Sequence, residues 1–481
     1  MSLFYIFLEY FKTNFMRTLT LILFFLLASS ILPAQNQANN WFFGDGAAIT
    51  FNTVPPSVIT GSQLSTWEGS TSISDANGNL LFYSDGSTVW NSAHTEMANG
   101  TGLWGDYSST QSAIIVPLPG SSTIYYLFTA PEQGSFSPIA YNVIDMTLNN
   151  GLGDVTLKNE PLRYQCTEKL TATLHQNGVD YWILGHGSLS NNYYVYHLSS
   201  TGLDTVPVVS SLGVTVANDP QKLGYLKVGP CGNTLAAATW EFNNNASTVE
   251  LFDFDPATGI ISNALLLGSF SVQNGVYGLE FSPDNSKLYA SMLDPGLILQ
   301  YDLSAGSPSA IIASMDTVGL SASDFFGALQ IAPDGKIYVA RNDVNALSCI
   351  TNPNLQGSAC NYITNCISLP NLSKLGLPSF PANLFCNIPS GTAEMLSANS
   401  IGIYPNPFTD EVSISVNNTT QQLSSIRIID LLGREQFYKN DFHLETEVQL
   451  HLEFLPPGIY MVEILIGDKK NFSTIVKATD K

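Results

Sequence analysis

Three glutamates are the residues of this chain whose type and position best suit catalysis. Glu68, Glu168 and Glu280 each stand near the start of a segment that predicts a buried inner strand. Paired carboxylates can share acid and base roles in glycoside hydrolysis, or they can bind Ca²⁺. Their spacing in the chain is equally typical of structural hydrogen bonds or of solvated side chains at a channel mouth. We therefore keep catalysis by these residues as an alternative and not as the first hypothesis.

Other catalytic patterns are missing from the sequence. It contains no H-E-x-x-H, no G-x-S-x-G, no G-x-x-x-x-G-K-[ST] and no G-x-G-x-x-G motif. No two of its six histidines have the i, i+4 spacing of a metal-binding helix face. His186 stands at a predicted strand end, where a packed or capped side chain is more typical than a base. We predict no catalytic residue, no metal and no cofactor, and so a non-enzymatic protein.

The tryptophans offer a different chemistry, because exposed indoles stack on sugar rings. A cluster of them on one face would form a carbohydrate site, whereas packing in the core is the usual fate of tryptophan. The many Asn, Ser and Thr residues suit polar glycan contacts and ordinary loops equally well. An extracellular glycan is therefore one candidate ligand, and a surface protein is the other. The six residues are Trp41, Trp67, Trp90, Trp104, Trp182 and Trp240.

The cysteines are even in number, which permits three disulfides in an oxidising compartment, with fifteen possible connectivities. Four of the six fall between Cys349 and Cys386, so we expect a local bridge there. Zinc is the rival interpretation of this cluster, but it shows no paired C-x-x-C and no nearby histidine. The six are Cys166, Cys231, Cys349, Cys360, Cys366 and Cys386.

The elements that must position these residues repeat along the chain. Each copy has an alternating apolar strand, a turn and a second strand, as in Tyr277–Tyr289 and Gly327–Tyr338. This pattern is typical of a β-hairpin. The copies are 42 to 58 residues apart, which is room for about four short strands, or one propeller blade. The turn residues are Gly78, Gly120, Gly178, Gly232, Asn285 and Gly335.

The first and last segments of the repeat region each resemble part of a blade. Asn40–Phe51 resembles outer strands without an inner one, and Leu375–Asn383 resembles an inner strand without its blade. Joining them in one composite blade would close the ring and remove open sheet edges. The sequence predicts an all-β chain in which residues 36–386 form a seven-bladed propeller, with six blades as the fallback.

The region 38–386 resembles WD-repeat-like propellers of secreted proteins, whose cores carry Ser-Pro-Asp-Gly-x-Lys-Leu-Tyr repeats. That resemblance implies the fold and leaves the function open, because propellers host binding, scaffolding and many chemistries.

The N-terminus indicates export. Lys12 and Arg17 precede the apolar run 18–34, which ends in small residues. We interpret residues 1–35 as a signal peptide that is cleaved after Ala34 or after Gln35, whether Met1 or Met16 is the start. No later run is long enough to span a membrane.

The net charge of the chain limits the classes of partner that it can bind. Its net charge of −21 and pI near 4.4 exclude non-specific binding to nucleic acid or to an anionic membrane. Only 12% of its residues are charged, about half the usual share for a soluble domain.

The last eighty residues have their own pattern. Residues 387–400 are rich in small residues and predict a linker, and short alternating segments in 401–481 predict a small β-sandwich. Turn-forming and packing residues punctuate these segments. The motif residues are Pro405, Asn406, Pro407, Gly433, Arg434, Gly458 and Tyr460.

These motifs, with Ile475-Val-Lys477 after them, resemble the type A C-terminal sorting domain of type IX secretion. The resemblance implies that the secretion machinery binds this domain and that the protein crosses the periplasm of a Gram-negative bacterium. It also implies removal of the domain, with the cargo released or joined to a surface lipopolysaccharide. The chain departs from the family by continuing past Lys477 to Lys481.

The first functional hypothesis is therefore a secreted or surface-attached, non-enzymatic propeller that binds a glycan or a protein. The alternatives are a propeller hydrolase acting on extracellular polysaccharide or peptide, and a structural component of the surface or of gliding.

Overall fold

The computed structural model describes residues 35–241, 246–270, 275–386, 401–406, 408–416, 423–430, 434–440, 447–466 and 469–478. The chain divides into two compact units, Met1–Gly391 and Thr392–Lys481. Residues 1–34 of the predicted signal peptide and the predicted linker 387–400 lie outside the described residues.

The first unit consists almost entirely of short antiparallel strands. A three-stranded sheet contains β1 (Asn40–Phe43), β2 (Ala47–Thr50) and β3 (Ser57–Val58). An eight-stranded sheet follows, made of two four-stranded halves that are joined by one residue pair, Ala98 with Asp154. Its halves are β4 (Thr71–Ser74), β5 (Leu80–Ser84), β6 (Thr88–Asn91) and β7 (Glu96–Thr101), then β8 (Ala113–Pro117), β9 (Ile124–Thr129), β10 (Ile139–Asp145) and β11 (Asp154–Arg163).

Four further sheets follow in chain order. The five-stranded sheet contains β12 (Cys166–Leu174), β13 (Tyr181–Gly187), β14 (Ser190–Ser199), β15 (Gly202–Leu203) and β16 (Val208–Val216). The next contains β17 (Leu226–Val228), β18 (Thr234–Thr239), β19 (Ser247–Phe254) and β20 (Ile261–Phe270). Then come β21 (Val276–Phe281), β22 (Lys287–Met292), β23 (Gly296–Asp302) and β24 (Asp316–Ser321), and finally β25 (Phe326–Ile331), β26 (Ile337–Arg341), β27 (Val344–Ile350) and β28 (Tyr362–Ser373).

Within the part of the chain that the structure describes, helices are few and short. One α-helix, α1 (Pro308–Ala313), lies between β23 and β24, with the Ser307 side chain accepting a hydrogen bond from the backbone of Ala310. Single 3₁₀ turns occupy Gln35–Ala38, Asn149–Gly151, Pro220–Lys222, Gly357–Cys360 and Ala382–Phe385. Within the described residues, no helix has the length and apolar character needed to cross a membrane.

The backbone conformation of the turns inside the repeats explains why glycine or asparagine occurs at each of these turns. All six predicted turn residues have positive φ, for example 60° at Asn285 and 77° at Gly335. Each stands in the turn between the first two strands of its sheet or half-sheet, where this backbone conformation excludes most side chains. The predicted hairpin repeat is confirmed at these positions.

The first strands of successive sheets pack side by side in a ring. β4 contacts β8, β8 contacts β12, β12 contacts β17, β17 contacts β21, and β21 contacts β25. Residues 375–380 fill the gap between β25 and β4, because Leu375 O accepts from Ala328 N and Ser379 N donates to Ser70 O. A closed ring of first strands makes the unit a β-propeller. The number of blades stays a prediction.

Residues of the first strands, near the centre of the ring, are more buried than residues of the outer strands. All six residues of β21 and all six of β25 are buried, whereas the outer strand β24 has three exposed residues and only one buried residue. This gradient arises because first strands are covered on both faces by neighbouring sheets, while outer strands meet solvent.

Two disulfides stabilise the unit. Cys349 pairs with Cys366, which confirms the expected local bridge, and Cys231 pairs with Cys386. Cys166 and Cys360 are buried free thiols, so two of the three permitted bridges form.

The Cys231–Cys386 bridge holds a segment that we call the strap, residues 380–386. Cys231 follows β17, which lies across the ring from residues 375–380 in the order of first strands. Phe380, Ala382 and Phe385 line a small cavity of about 10 Å³ together with residues of β17, β21 and β25. The strap therefore closes the end of the ring at which the first strands finish.

The second unit contains two sheets. One has β29 (Ile401–Tyr404), β30 (Glu411–Val416) and β33 (Glu447–His451), and the other has β32 (Glu435–Lys439), β31 (Leu423–Asp430), β34 (Gly458–Ile466) and β35 (Lys469–Lys477). Apolar side chains from both sheets form one core, including Val412, Ile428 and Val462. This arrangement is the predicted small β-sandwich.

Candidate functional site

The three candidate glutamates are buried in the first unit. Glu68 is 5% exposed, Glu168 1% and Glu280 2%. Glu68 precedes β4 and Glu168 is the third residue of β12, as predicted, but Glu280 is the fifth residue of β21. The prediction for Glu280 is therefore wrong, because β21 begins at Val276, four residues earlier in the chain.

Protein donors already satisfy Glu168. Its Oε2 accepts from Thr110 N at 2.8 Å and from Thr110 Oγ1 at 2.6 Å, and its Oε1 accepts from Gln133 N at 2.6 Å. Burial raises the pKa of this carboxyl. Burial, followed by the nearby Glu168 charge, raises the pKa of Glu68 well above its usual range. These two side chains stand close enough to interact, and both are buried.

Glu280 is part of a network across three first strands. Its Oε2 accepts from Lys227 Nζ at 2.9 Å and from Ile331 N at 3.0 Å. Lys227 also donates to Gln330 Oε1 at 2.6 Å. Such a satisfied network fixes the strands and leaves no free base for substrate. Glu280 lines the small cavity beneath the strap.

A second buried group of charges joins two sheets. Lys169 donates to the carbonyl oxygens of Leu223 at 2.8 Å and Lys222 at 3.2 Å, and burial lowers its pKa to about 7. Burial raises the pKa of Glu250 to about 7, and lowers that of His186 to about 3. His186 packs edge-on against Tyr193, with ring centroids 4.5 Å apart. It is thus a packed histidine, as the sequence indicated.

The tryptophans separate into core and surface. Trp41 and Trp182 are buried, and Trp90 and Trp240 are partly buried. Trp67 is 41% exposed and Trp104 is 37% exposed. Packing is the rule for this set, and the two exposed residues are the exceptions that can meet a ligand.

Trp67 lies in an open pocket of about 380 Å³, which we call the Trp67 pocket. This volume is in the range typical of small-molecule sites, roughly 300–1,000 Å³. Its lining combines two exposed aromatic rings with charged and hydroxyl groups. The lining residues are Asp45, Ser65, Thr66, Trp67, Tyr107 and Lys374.

Backbone hydrogen bonds hold the lining segments together. Trp67 N donates to Tyr107 O at 3.1 Å, and Thr66 Oγ1 donates to the same oxygen at 2.8 Å. Leu375 N donates to Trp67 O at 3.0 Å, which fixes the neighbouring Lys374 beside the indole. Trp67 precedes β4, Tyr107 precedes β8, and Lys374 precedes the segment 375–380. The pocket therefore lies at the end of the ring where the first strands begin.

The charges of the pocket are partly paired. Lys374 forms an ion pair with Asp343, and its Nζ lies 4.8 Å from the centroid of the Trp67 ring. Asp45 Oδ1 accepts from Ser65 Oγ at 3.0 Å. Tyr107 is 55% exposed. The site offers two aromatic surfaces with hydrogen-bonding groups around them, which suits ligand recognition more than proton transfer.

Of this pocket, the sequence singled out only Trp67. Tyr107 and Lys374 carry a weak signal, since each stands shortly before a predicted inner strand. Asp45 lies in the Gly-Asp-Gly turn between β1 and β2, where the usual explanation is turn formation. The described residues contain no group of three or more His, Cys, Asp and Glu side chains arranged to bind a metal ion.

The second unit brings its motif residues to the ends of its strands. The Asn406 side-chain oxygen accepts from Val476 N at 2.9 Å, and Phe408 bridges to Lys477. Pro405 and Asn406 are exposed. The start of the motif region is thereby joined to its last strand.

The later motifs have similar local roles. Arg434 donates from Nε to Asp430 at 2.8 Å and remains largely exposed, while the Tyr460 hydroxyl donates to Pro456 O at 2.7 Å and its ring is buried. Gly458 begins β34. Pro407, Gly433 and Ala34 lie outside the described residues, and Gln35 begins the first 3₁₀ turn.

Known structures with similarity to this chain are distant. A quinonprotein alcohol dehydrogenase-like protein from Bacteroides thetaiotaomicron is 12% identical, with a TM-score of 0.38, covering 70% of this chain and 77% of that one. The periplasmic gluconolactonase of Pseudomonas aeruginosa is 11% identical, with a TM-score of 0.36, covering 83% and 98%. The Swd1 β-propeller domain of Myceliophteria thermophila is 10% identical, with a TM-score of 0.37, covering 63% and 94%. Similarity at this level supports no inference about activity.

The sequence comparison is informative for the second unit. No curated protein matches the chain. Residues 402–478 match the family model described as the secretion system C-terminal sorting domain. The motifs on the strand ends belong to this match. The second unit is therefore a secretion system C-terminal sorting domain, which directs a β-propeller through type IX secretion to the outside of a Gram-negative cell, secreted or surface-attached.

Proposed function

We propose that this protein is a non-enzymatic binding propeller that recognises an extracellular saccharide in the Trp67 pocket. The observation that carries the proposal is that two exposed rings, Trp67 and Tyr107, line the same open pocket of about 380 Å³. Aromatic faces stack on the apolar faces of sugar rings, and surrounding polar groups bind the hydroxyls.

The pocket is held in place without a ligand. The carbonyl oxygen of Tyr107 accepts three hydrogen bonds, from Trp67 N, Glu68 N and Thr66 Oγ1. Since these contacts order the loop before binding, less conformational entropy is lost when a ligand enters. This pre-organisation is typical of a binding site.

The placement of the carboxylates supports a function without catalysis. A hydrolase needs two carboxyl groups facing a bound substrate. Glu168 and Glu280 instead bind protein donors in the interior, and the Glu68 side chain is buried. Asp45 is the one carboxylate among the lining residues.

The test is binding of the purified, labelled protein to a broad glycan panel, with product analysis of each bound sugar. We expect binding without cleavage, and loss of binding in the Trp67→Ala, Tyr107→Ala double variant. Trp104→Ala is the matched control, because Trp104 is exposed to a similar degree but lies outside the pocket.

Three outcomes would contradict the proposal. Cleaved glycan would favour the hydrolase hypothesis. Binding that survives the double variant would move the site elsewhere on the molecule. The absence of any glycan binding would favour a protein ligand or a structural role.

A further inference from the structure

We propose that the saccharide taken by the Trp67 pocket is neutral, and that sugars with carboxylate or sulfate groups are rejected. This inference rests on the proposed function and adds the class of ligand. It follows from the charges and the hydrogen-bonding capacity around the two aromatic rings.

The pocket has no cation available for an anionic sugar. Lys374 is its one basic lining residue, and Asp343 already forms an ion pair with that ammonium group. An anion would have to compete with this carboxylate and would also approach Asp45. Like charges brought together in a partly desolvated site cost binding energy and reject the wrong partner.

The field of the whole protein acts in the same direction. The chain has 39 acidic and 18 basic residues. Acidic polysaccharides are therefore repelled at long range as well as in the pocket, an effect that salt screens.

Neutral hydroxyls find suitable partners. Asp45 uses Oδ1 to bind Ser65, and within the described residues its Oδ2 has no hydrogen-bond partner. The Tyr107 hydroxyl likewise has none among these residues, and it can donate or accept. A carboxylate that accepts from a sugar hydroxyl forms a charge-assisted hydrogen bond, which is the stronger kind.

The Lys374 position also argues against a cationic ligand. Its ammonium already lies over the Trp67 ring, where a ligand cation would otherwise bind. A ring with apolar C–H faces and hydroxyl edges meets both features of the pocket without an unpaired charge. A neutral pyranose has this chemistry.

The experiment measures affinity of the full purified protein for neutral oligosaccharides of glucose, mannose, galactose and xylose, and for uronate oligosaccharides of matched length. We expect binding of at least one neutral series, with little change between low and high salt. Asp45→Asn should weaken that binding about tenfold, because a neutral amide oxygen replaces the charged acceptor and the hydrogen bond loses its charge assistance. Trp104→Ala should leave it unchanged.

A second variant tests the rejection of acids. Asp343→Asn frees the Lys374 ammonium, and we expect uronate binding to appear or to strengthen at low salt. The inference is overturned if the unmodified protein prefers uronates in a manner that requires Trp67. It is also overturned if Asp45→Asn binds neutral sugars as tightly as the unmodified protein. If no sugar binds at all, the proposed function fails first, and this inference fails with it.

Discussion

The two units of this protein differ in how many charged side chains they bury. The propeller buries carboxylates and lysines at its centre, among them Glu168, Lys169, Lys227 and Glu280. The sorting domain has an apolar core, and Lys477 is the one buried charged side chain among its described residues. First strands of a ring meet around a common centre where polar groups can pair, whereas two facing sheets share one apolar interface. A buried carboxylate in a ring is therefore weak support for catalysis.

The units also differ in how their functions are encoded. The sorting domain carries its signal in short motifs within one segment of less than eighty residues. The Trp67 pocket is assembled from side chains at positions 45, 65–67, 107 and 374. The export signal can thus be identified in the sequence, whereas the pocket proposed to bind a ligand forms only when the chain folds.

Deleting residues 401–481 is the strongest test of whether the export signal lies in the sorting domain alone. We expect complete loss of export, with the propeller retained in the periplasm, because the sorting domain is the part that the secretion machinery reads. Cell fractionation and surface labelling measure the outcome. The full chain with Trp67→Ala is the control and should be exported normally. Surface display of the truncated protein would show that the propeller carries an export signal of its own.

Removing the Cys231–Cys386 bridge tests how much a disulfide contributes to the stability of the propeller, which has two such bridges, whereas the sorting domain has no cysteine. This disulfide closes a loop of 155 residues, and Cys349–Cys366 closes one of 17. We expect Cys231→Ser with Cys386→Ser to lower the free energy of unfolding by about 5 kcal/mol, and the other pair by about 3 kcal/mol. Denaturant unfolding measures both losses.

The sorting domain provides an internal control for that experiment, since the sequence has no cysteine after Cys386. Its own unfolding transition should not move in either variant. A larger loss from the shorter loop would contradict the assigned role of the strap.

Glu250→Gln tests the cost of buried charge in the propeller. Burial raises the pKa of this carboxyl from 4.5 to about 7, so the folded state keeps a proton that the unfolded state has lost between these values. The unmodified protein therefore loses stability as pH rises through this window. Relative to it, the variant should gain up to about 3 kcal/mol between pH 4 and pH 8, because each tenfold difference in proton affinity between the folded and unfolded states is worth about 1.4 kcal/mol.

The measurement is the difference in unfolding free energy between the two proteins at several pH values. Glu435→Gln in the sorting domain is the matched control, because its exposed pair with Arg427 should contribute no more than about 1 kcal/mol. A difference for Glu250→Gln that does not vary with pH would show that burial does not control its protonation.

The sequence predicted the features that depend on local chemistry. Gly335 and Asn285 stand where a hairpin needs positive φ, and few other residues can replace them there. The motif Ile403–Phe408 likewise indicated the sorting domain. By contrast, Glu280 was misplaced along its strand, since alternating apolar residues do not mark where pairing begins. Asp45, Tyr107 and Lys374 were missed because nothing local distinguishes them from ordinary turn and loop residues.

The strap also has a mechanical consequence. Cys386 is the last described residue of the propeller, and it is covalently tied to the turn after β17. A pull on the chain beyond it is therefore borne first by a covalent bond, and not by the hydrogen bonds that Leu375 and Ser379 make with neighbouring strands. Those bonds close the ring, and under direct load they would unzip one after another. Tension from the C-terminal side is consequently transferred through the disulfide to the turn after β17, and the ring-closing hydrogen bonds of Leu375 and Ser379 are not loaded directly.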